Sequence, residues 1–570
     1  MRPSILNSIV TAILLINSTG PSIFASEPQW IWGSESAHQK AADGECEFRR
    51  AFEVATKPVS VVIELVVDDQ YTLRVNDRFI ATSGDVSTAR RIDVTSATQV
   101  GENVIYVRGR NSGGPAGFRA RIQIEEAAGE KRTIVTDKTW QAKLQQAGTW
   151  DPSIRERTPW HQAYVLGPDG MAPWNGLVEL SAEVEKVKSR AKSDGPFELY
   201  DGDRVAFLGN TFVERAQRYG FIECELTRRY PARNVSFRNL GWSGDTVFGE
   251  ARARFGTVRD GFEHLETQIN LVEPTLIFSA YGSNAAFAGE RGLDSFVAGY
   301  ERLLNVLEAT GARVVLVSPM KHQNLGPPLP DHTRYNQVLA VYRDAIRQLA
   351  KSRRLGFLDL YDALDNADAD MAALTDNGIH ITGTGYRHAA GVIADTLGIT
   401  TDQPIVAFDA ATLNTDVSGV TASPISNGDD AFSFQVTLDA LPQPSVSMND
   451  ATVALILETR NLPDGNYEIR CDGELVAVSN AAKLADGVSI VRGPDVAQAN
   501  LLRQTVHKKN ELFFHRWRPQ NETYLFLFRK HEQGNNAVEI PKFDPLVAEQ
   551  ESRIATLRVP KVHTYIIKRK

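Results

Sequence analysis

The chain has 570 residues, too many for one hydrophobic core, and at about 150 residues per domain it should hold three or four. Its composition is that of an ordinary globular protein, with no heptad run and no low-complexity tract, which excludes the coiled-coil and disordered classes. A net charge of −8 removes the global electrostatic case for binding nucleic acid or an anionic membrane.

Residues 1–25 read as an export signal. Arg2 supplies a positive start, Ile9–Ile16 an apolar stretch too short to span a bilayer, and Ser22-Ile23-Phe24-Ala25 a cleavage end. The expected localisation is therefore secreted or periplasmic. No later segment is apolar enough to cross a membrane. Cys46, Cys224 and Cys471 are odd in number and far apart, which argues against a disulfide framework; none has metal-site spacing, and all three read as buried thiols.

Residues 27–180 are β-rich. Cys46–Val54, Val59–Val67, Tyr71–Val75 and Phe79–Thr82 are strand-like, with Asn76-Asp77-Arg78 as a tight hairpin turn. Asn103–Gly109 and Phe118–Glu125 follow, separated by the turn-rich Asn111–Pro115. Period-two alternation with frequent turns predicts a β-sandwich. Residues 181–202 are expected to be a linker, in which Ser181–Lys192 forms a short helix.

The β-rich segment resembles the galactose-binding-like jelly roll found beside the catalytic domains of rhamnosidases and β-galactosidases. The matching pieces are Trp30-Ile31-Trp32, Leu73–Asp77, Asp93-Val94-Thr95, Gly101–Ile105 and Thr136-Asp137 with Trp140. Six of the eight tryptophans fall between Trp30 and Trp174. They either stack on sugar rings, whose CH faces pack on aromatics, or fill the sandwich and its seam with the next domain.

Over residues 203–400 the period changes. Strands are predicted at Arg204–Leu208, Val235–Leu240, Thr275–Ala280, Val314–Ser318 and Phe357–Leu360. Helices are predicted at Phe212–Arg229, Gly261–Val272, Leu293–Ala309, His332–Ser352 and Tyr386–Leu397. Alternation of helices with continuously apolar strands predicts a buried parallel sheet in a three-layer α/β/α domain. Residues 404–570 read as a β-rich region with a helical extension. Strands are expected at Phe432–Leu438, Val453–Glu458, Tyr467–Cys471 and Tyr524–Phe528, and helices at Ala497–Trp517 and Val547–Leu557. Phe513, Phe514 and Trp517 should dock on the α/β core with the neighbouring basic side chains outward.

Four short segments carry chemistry: Gly209-Asn210-Thr211, Asn239–Thr246, Tyr281-Gly282-Ser283-Asn284 and Asp376-Asn377-Gly378-Ile379-His380. Three sit just after predicted strands and the last precedes a helix, which is where open α/β sheets place their sites. They offer a hydroxyl, donors for an oxyanion and an imidazole, the inventory of acyl transfer.

These segments resemble the blocks of the GDSL/SGNH esterase family over residues 203–398. In that family a serine follows strand one, a glycine and an asparagine occupy later blocks, and Asp-x-x-His comes near the end. The resemblance implies a multidomain protein with an SGNH-type hydrolase domain at 203–400, in which Thr211 takes the serine place, Gly244 the glycine, Asn284 the asparagine and His380 the histidine. The implied substrate is a carboxylic ester, and the jelly roll points to acetyl groups on a polysaccharide. No cofactor, metal, nucleic-acid or membrane partner is implied. Glycine at 244 is expected because a side chain would block the backbone's approach to the oxyanion.

Three positions depart from the pattern. Thr211 adds a methyl that restricts χ1. Asn210 and Ala285 stand where aspartate is usual, and Asn377 stands three before His380, with Asp376 one residue further back. Either Asn377 or Asp376 orients the imidazole. Ser243 and Ser283 are substitute nucleophiles within the oxyanion blocks. The domain is thus either an esterase working from Thr211 or an inactive SGNH fold that binds carbohydrate or acts as a scaffold. The remaining histidines, among them His322, His332, His507 and His515, read as surface or packing residues.

Overall fold

The computed structural model describes residues 27–570 apart from 43, 77, 84–85, 112, 128, 147–157, 187–195, 366–373, 429–430 and 448–451. The expected export signal, Trp150 and the hairpin residue Asp77 lie outside the described residues. The chain forms two compact units, one made of residues 1–147 with 158–187 and the other of the remainder. No helix among the described residues is long and apolar enough to cross a membrane.

The first unit is a sandwich of two sheets. One contains Tyr164–Pro168, Gln29–Trp32, Gly117–Glu126, Pro58–Asp68, Thr88–Asp93 and Glu179–Lys186 in that order, with Lys131–Val135 paired to Gly117–Glu126. The other runs His161–Gln162, Gln141–Gln146, Gly44–Val54, Gly101–Asn111, Gln70–Val75 and Arg78–Ser83. Alternate residues of both sheets, including Phe48, Ile63, Leu73, Val107 and Phe118, form one core. Trp32 and Trp140 lie in that core, while Trp30 stacks on Trp174 at 4.0 Å. Trp160 is covered by the Arg49 guanidinium at 4.4 Å. Trp30, Trp32, Trp140 and Trp174 are therefore packing residues, and Trp160 is half-buried. The helix expected over Ser181–Lys192 is, as far as Lys186, a strand paired in parallel with Thr88–Asp93. Its alternation of charged and small residues suits an edge strand as well as a helix.

The centre of the second unit is a five-stranded parallel sheet. Its strands are β1 (Arg204–Gly209), β2 (Ser236–Gly241), β3 (Leu276–Ala280), β4 (Arg313–Val317) and β5 (Gly356–Leu358), ordered β2-β1-β3-β4-β5. Among the described residues the helices between and after them are α1 (Thr211–Ala216), α2 (Phe221–Arg229), α3 (Val258–Val272), α4 (Leu293–Ala309), α5 (Thr333–Arg353) and α6 (Gly383–Thr396). The single helix expected over Phe212–Arg229 is two, the first ending at Ala216 and the second beginning after Gly220, whose φ of 70° breaks the run. Side chains alternate across the strands, so each face has its own core. Ala206, Leu208, Ile277 and Leu316 meet α3, α4 and α5. Val205, Leu276, Phe278 and Val317 meet α1, α2 and α6. This is the expected three-layer α/β/α arrangement.

The C-terminal region forms two further sheets, one of which seats the final strand His563–Arg569 between Ala431–Leu438 and Asn466–Cys471. That last strand was not expected, and Tyr524–Phe528, expected as a strand, contains the end of the short helix Glu522–Leu525. Two long helices leave these sheets and pack on the α/β domain: α7 (Pro494–Trp517) and α8 (Phe543–Leu557). Phe513 and Trp517 of α7 and Val547 of α8 join the core of α3, α4 and α5, as the aromatic spacing suggested. The basic side chains are not all outward, however. Lys509 is fully buried, with Nζ 2.8 Å from both Glu223 carboxylate oxygens and 2.8 Å from the Phe237 carbonyl. Burial raises the Glu223 pKa and lowers that of Lys509, and each is opposed by the other's charge.

Candidate active site

The carboxyl ends of β1, β2 and β3 deliver three of the four motif segments. Gly209 closes β1 because a Cβ there would lie 2.5 Å from the Ala280 carbonyl of β3. Asn210 then caps α1, its side-chain oxygen accepting from the Phe212 N–H at 3.4 Å. Thr211 is consequently the first residue of the helix and half-buried.

Thr211, Ser283, Asn284 and His380 line one cleft of about 270 Å³, together with Phe287, Lys321 and His322. Gly244 adjoins Asn284: a Cβ built on it would be 4.0 Å from Asn284 Nδ2 and would otherwise meet open space. Its φ of 80° gives a conformational reason for glycine here as well. Among the described residues no hydrogen bond joins the Thr211 hydroxyl to the His380 ring.

The choice between Asn377 and Asp376 is resolved by hydrogen bonds. Asn377 Oδ1 accepts from the Ile379 N–H at 3.1 Å and the His380 N–H at 2.9 Å. Its Nδ2 lies 3.3 Å from His380 Nδ1. Reversing the amide would set an NH₂ group against two N–H donors, so the nitrogen faces the ring and donates. Nδ1 must then accept, which leaves the proton of the neutral imidazole on Nε2. Asp376 turns away, with Oδ2 3.2 Å from Arg215 Nη2.

Ser243 is exposed and does not line the cleft; its N–H donates to the Glu214 carboxylate. Ser283 does line it, and its carbonyl accepts from the Tyr335 hydroxyl.

Two features had no sequence signal. Behind the cleft, Arg252 Nε is 2.6 Å from Asp245 Oδ2 and Nη2 donates to the Leu240 carbonyl at 2.7 Å. The Tyr281 hydroxyl donates to the same Asp245 oxygen at 3.2 Å. All three side chains are buried, so the loops after β2 and β3 are pinned to one guanidinium. Burial, with the Asp245 charge added, pushes the Tyr281 phenol well above its usual pKa. The second feature is His322, which is a cleft residue and not merely a packing one. Burial, reinforced by His332 and His380, pushes its pKa down to about 4, so it is neutral at pH 7.

One group of possible metal ligands is present among the described residues, against the expectation from cysteine spacing: Cys471, Asp472 and His563 bring ligand atoms within 4.8 Å of one another. Both ring nitrogens already face carboxylates, Nδ1 at 2.7 Å from Asp472 and Nε2 at 3.5 Å from Asp495. Burial pushes the Cys471 thiol up to about 12, away from the thiolate a metal needs.

The chain is similar to several solved structures. A gut microbial diltiazem-metabolizing enzyme is 16% identical, with a TM-score of 0.53, over 66% of this chain and 100% of that one, a likeness of fold. An acetyl xylan esterase is 16% identical over 34% of this chain and 98% of that one, with a TM-score of 0.27. A Streptomyces avermitilis α-L-rhamnosidase is 22% identical over 29% of this chain but only 16% of that one, with a TM-score of 0.23. No curated protein matches the chain. The model of the GDSL-like Lipase/Acylhydrolase family matches residues 207–388, the stretch that holds most of the parallel sheet and every motif segment. The α/β/α domain of this chain is accordingly a GDSL-like lipase/acylhydrolase domain.

Proposed function

We propose that the protein is an exported hydrolase of carboxylic esters that removes acetyl groups from a polysaccharide, with Thr211 as nucleophile. The observation that carries this reading is the meeting of Thr211, Asn284 and His380, from three separate loops, in one cleft. The Thr211 hydroxyl attacks the ester carbonyl and its proton passes to His380 Nε2, which requires the imidazole proton to sit on Nδ1 at that moment. The oxyanion is held by the Thr211 and Gly244 N–H groups and the Asn284 amide. The tetrahedral intermediate expels the alcohol, protonated by His380, and leaves an acyl-threonine ester. Water then attacks this ester, again with His380 as base, releasing the acid and restoring the hydroxyl. The polysaccharide preference rests on the jelly-roll resemblance of residues 27–180, and export on residues 1–25.

A second reading is favoured by the Asn377 amide. It stabilises the Nε2–H imidazole, which donates a hydrogen bond to a bound oxygen and does not accept a proton, as suits a carbohydrate-binding module. Fluorophosphonate labelling of the mature protein separates the two. An adduct on Thr211 that is lost in His380→Ala, with acetate released from acetylated xylan, supports the hydrolase. No adduct and no acetate, with measurable glycan affinity, supports the binder. Amino-terminal sequencing of the protein recovered outside the cytoplasm should begin after Ala25; an intact Met1 would remove the export reading.

A further inference from the structure

We infer that the C-terminal segment acts on the catalytic cleft: Arg518, just beyond α7, and Glu214 of α1 are positioning residues that hold the oxyanion loop 242–244 against the helix that begins with Thr211. For its kinetic consequence the inference rests on the hydrolase reading; for its geometry it does not. Glu214 lies one turn along α1 from Thr211, on the face that meets the loop after β2. Its carboxylate accepts from the Ser243 N–H and lies 3.4 Å from Arg518 Nη1. The Arg518 guanidinium in turn lies over the Trp242 ring, 3.6 Å from its centroid. Trp517 meets the edge of the same ring at 5.9 Å, and His264 meets it at 6.0 Å.

One carboxylate therefore joins three parts of the chain: the nucleophile helix, the loop bearing Gly244, and a residue far downstream in the C-terminal extension. The arrangement has a physical purpose. Gly244 adopts a φ of 80° in a loop whose far side is fixed by the buried Asp245–Arg252 pair, and the N–H that would face an oxyanion is the one immediately after Ser243. An oxyanion donor contributes only if it is held in place before charge develops. The Glu214 bond to the Ser243 N–H fixes the residue leading into the glycine, and Arg518, paired with that carboxylate, adds to the cover that Trp517, His264 and Arg252 give Trp242. A guanidinium suits the position because it stacks flat on the indole while pairing with a carboxylate.

The test uses the full-length protein with Arg518→Ala, Arg518→Lys and Glu214→Ala. Hydrogen exchange is followed in peptides spanning 242–246. Exchange there should quicken roughly tenfold in Arg518→Ala and Glu214→Ala, with peptides of the N-terminal sandwich unchanged, and be partly restored in Arg518→Lys. With p-nitrophenyl acetate, kcat should fall about tenfold at unchanged KM in the alanine variants and recover partly in Arg518→Lys. Unaltered exchange over 242–246 in both alanine variants would overturn the inference, as would a kcat loss matched by an equal change in KM. If the wild-type protein turns over no ester, the hydrolase reading fails, and the exchange measurement still decides whether the segment holds the loop.

Discussion

Asn377 presents its amide nitrogen, not its oxygen, to His380 Nδ1, at 3.3 Å. The oxygen is engaged by two backbone N–H groups, so the side chain has no freedom to reverse. Asn377→Asp would leave two acceptors at the same place, one for the backbone and one for the Nδ1–H of the other tautomer. An exchange of this kind alters kcat by about 10⁴ in a Ser-His-Asp triad. Here Asn377→Asp should raise kcat/KM on p-nitrophenyl acetate by at least about tenfold. A folded variant with unchanged kcat/KM would show that the tautomer does not limit the reaction.

Thr211 sits at the start of α1 and lines the cleft, and its methyl restricts the rotamers open to its hydroxyl. Thr211→Ser removes a rotamer cost of about 1 kcal/mol, or roughly fivefold in rate, and should speed labelling by fluorophosphonate. Thr211→Val keeps the shape and removes the oxygen, and should abolish labelling with little change in melting temperature. Labelling that persists in Thr211→Val would reassign the nucleophile, with Ser283 the cleft-lining candidate.

The Lys509–Glu223 pair joins α7 to α2 with no water access to the ammonium group. Removing one partner leaves an uncompensated buried charge, so Lys509→Met should destabilise the protein by about 3–5 kcal/mol. The double variant with Glu223→Met should recover most of that loss. Urea denaturation of the single and double variants reads the difference.

At Gly244 the added methyl of Gly244→Ala meets nothing closer than 4.0 Å, so crowding does not enter. The cost is that of a left-handed residue with a Cβ, about 1–2 kcal/mol. A loss of unfolding free energy of that order is expected in urea denaturation, and a much larger one would point to a clash the geometry does not contain.

Acid should weaken the fold through His264. Burial, with Arg254 and Arg252 adding, pushes its pKa down to about 2. An unfolded histidine takes up a proton near pH 6.5, so below that pH the unfolded state binds more protons and stability falls as pH falls. Asp68 and Asp495, both raised by burial to about 6, act in the opposite sense between their ordinary range and pH 6. The isolating measurement is the urea midpoint at pH 7 and pH 5 for wild type and His264→Gln. The wild type should lose more on acidification, and equal losses would remove His264 from the account.

The sheet of the α/β/α domain is legible because its strands are buried on both faces and therefore continuously apolar, which sets them apart from the amphipathic helices between them. The motif segments were legible because most of them follow a strand end. What escaped was non-local. Arg252 carries no motif, and its importance arises only when the loops bearing Asp245 and Tyr281 close on it. Sequence spacing could show that Asn377 stands where aspartate is usual, but not which end of its amide faces the ring. The strand at Glu179–Lys186 reads as a helix in sequence because charged residues fit an exposed edge and a solvated helix equally well. His563–Arg569 was overlooked because its partners, Ala431–Leu438 and Asn466–Cys471, are distant in sequence.

The family match ends at residue 388, yet the apolar interior it belongs to continues through Phe513, Trp517 and Val547. A fragment cut near residue 400 would strip one face of the α3–α5 layer and strand Glu223 without its cation. Excising residues 207–388 should therefore yield insoluble material, and a soluble piece carrying the cleft needs α7 and α8 as well.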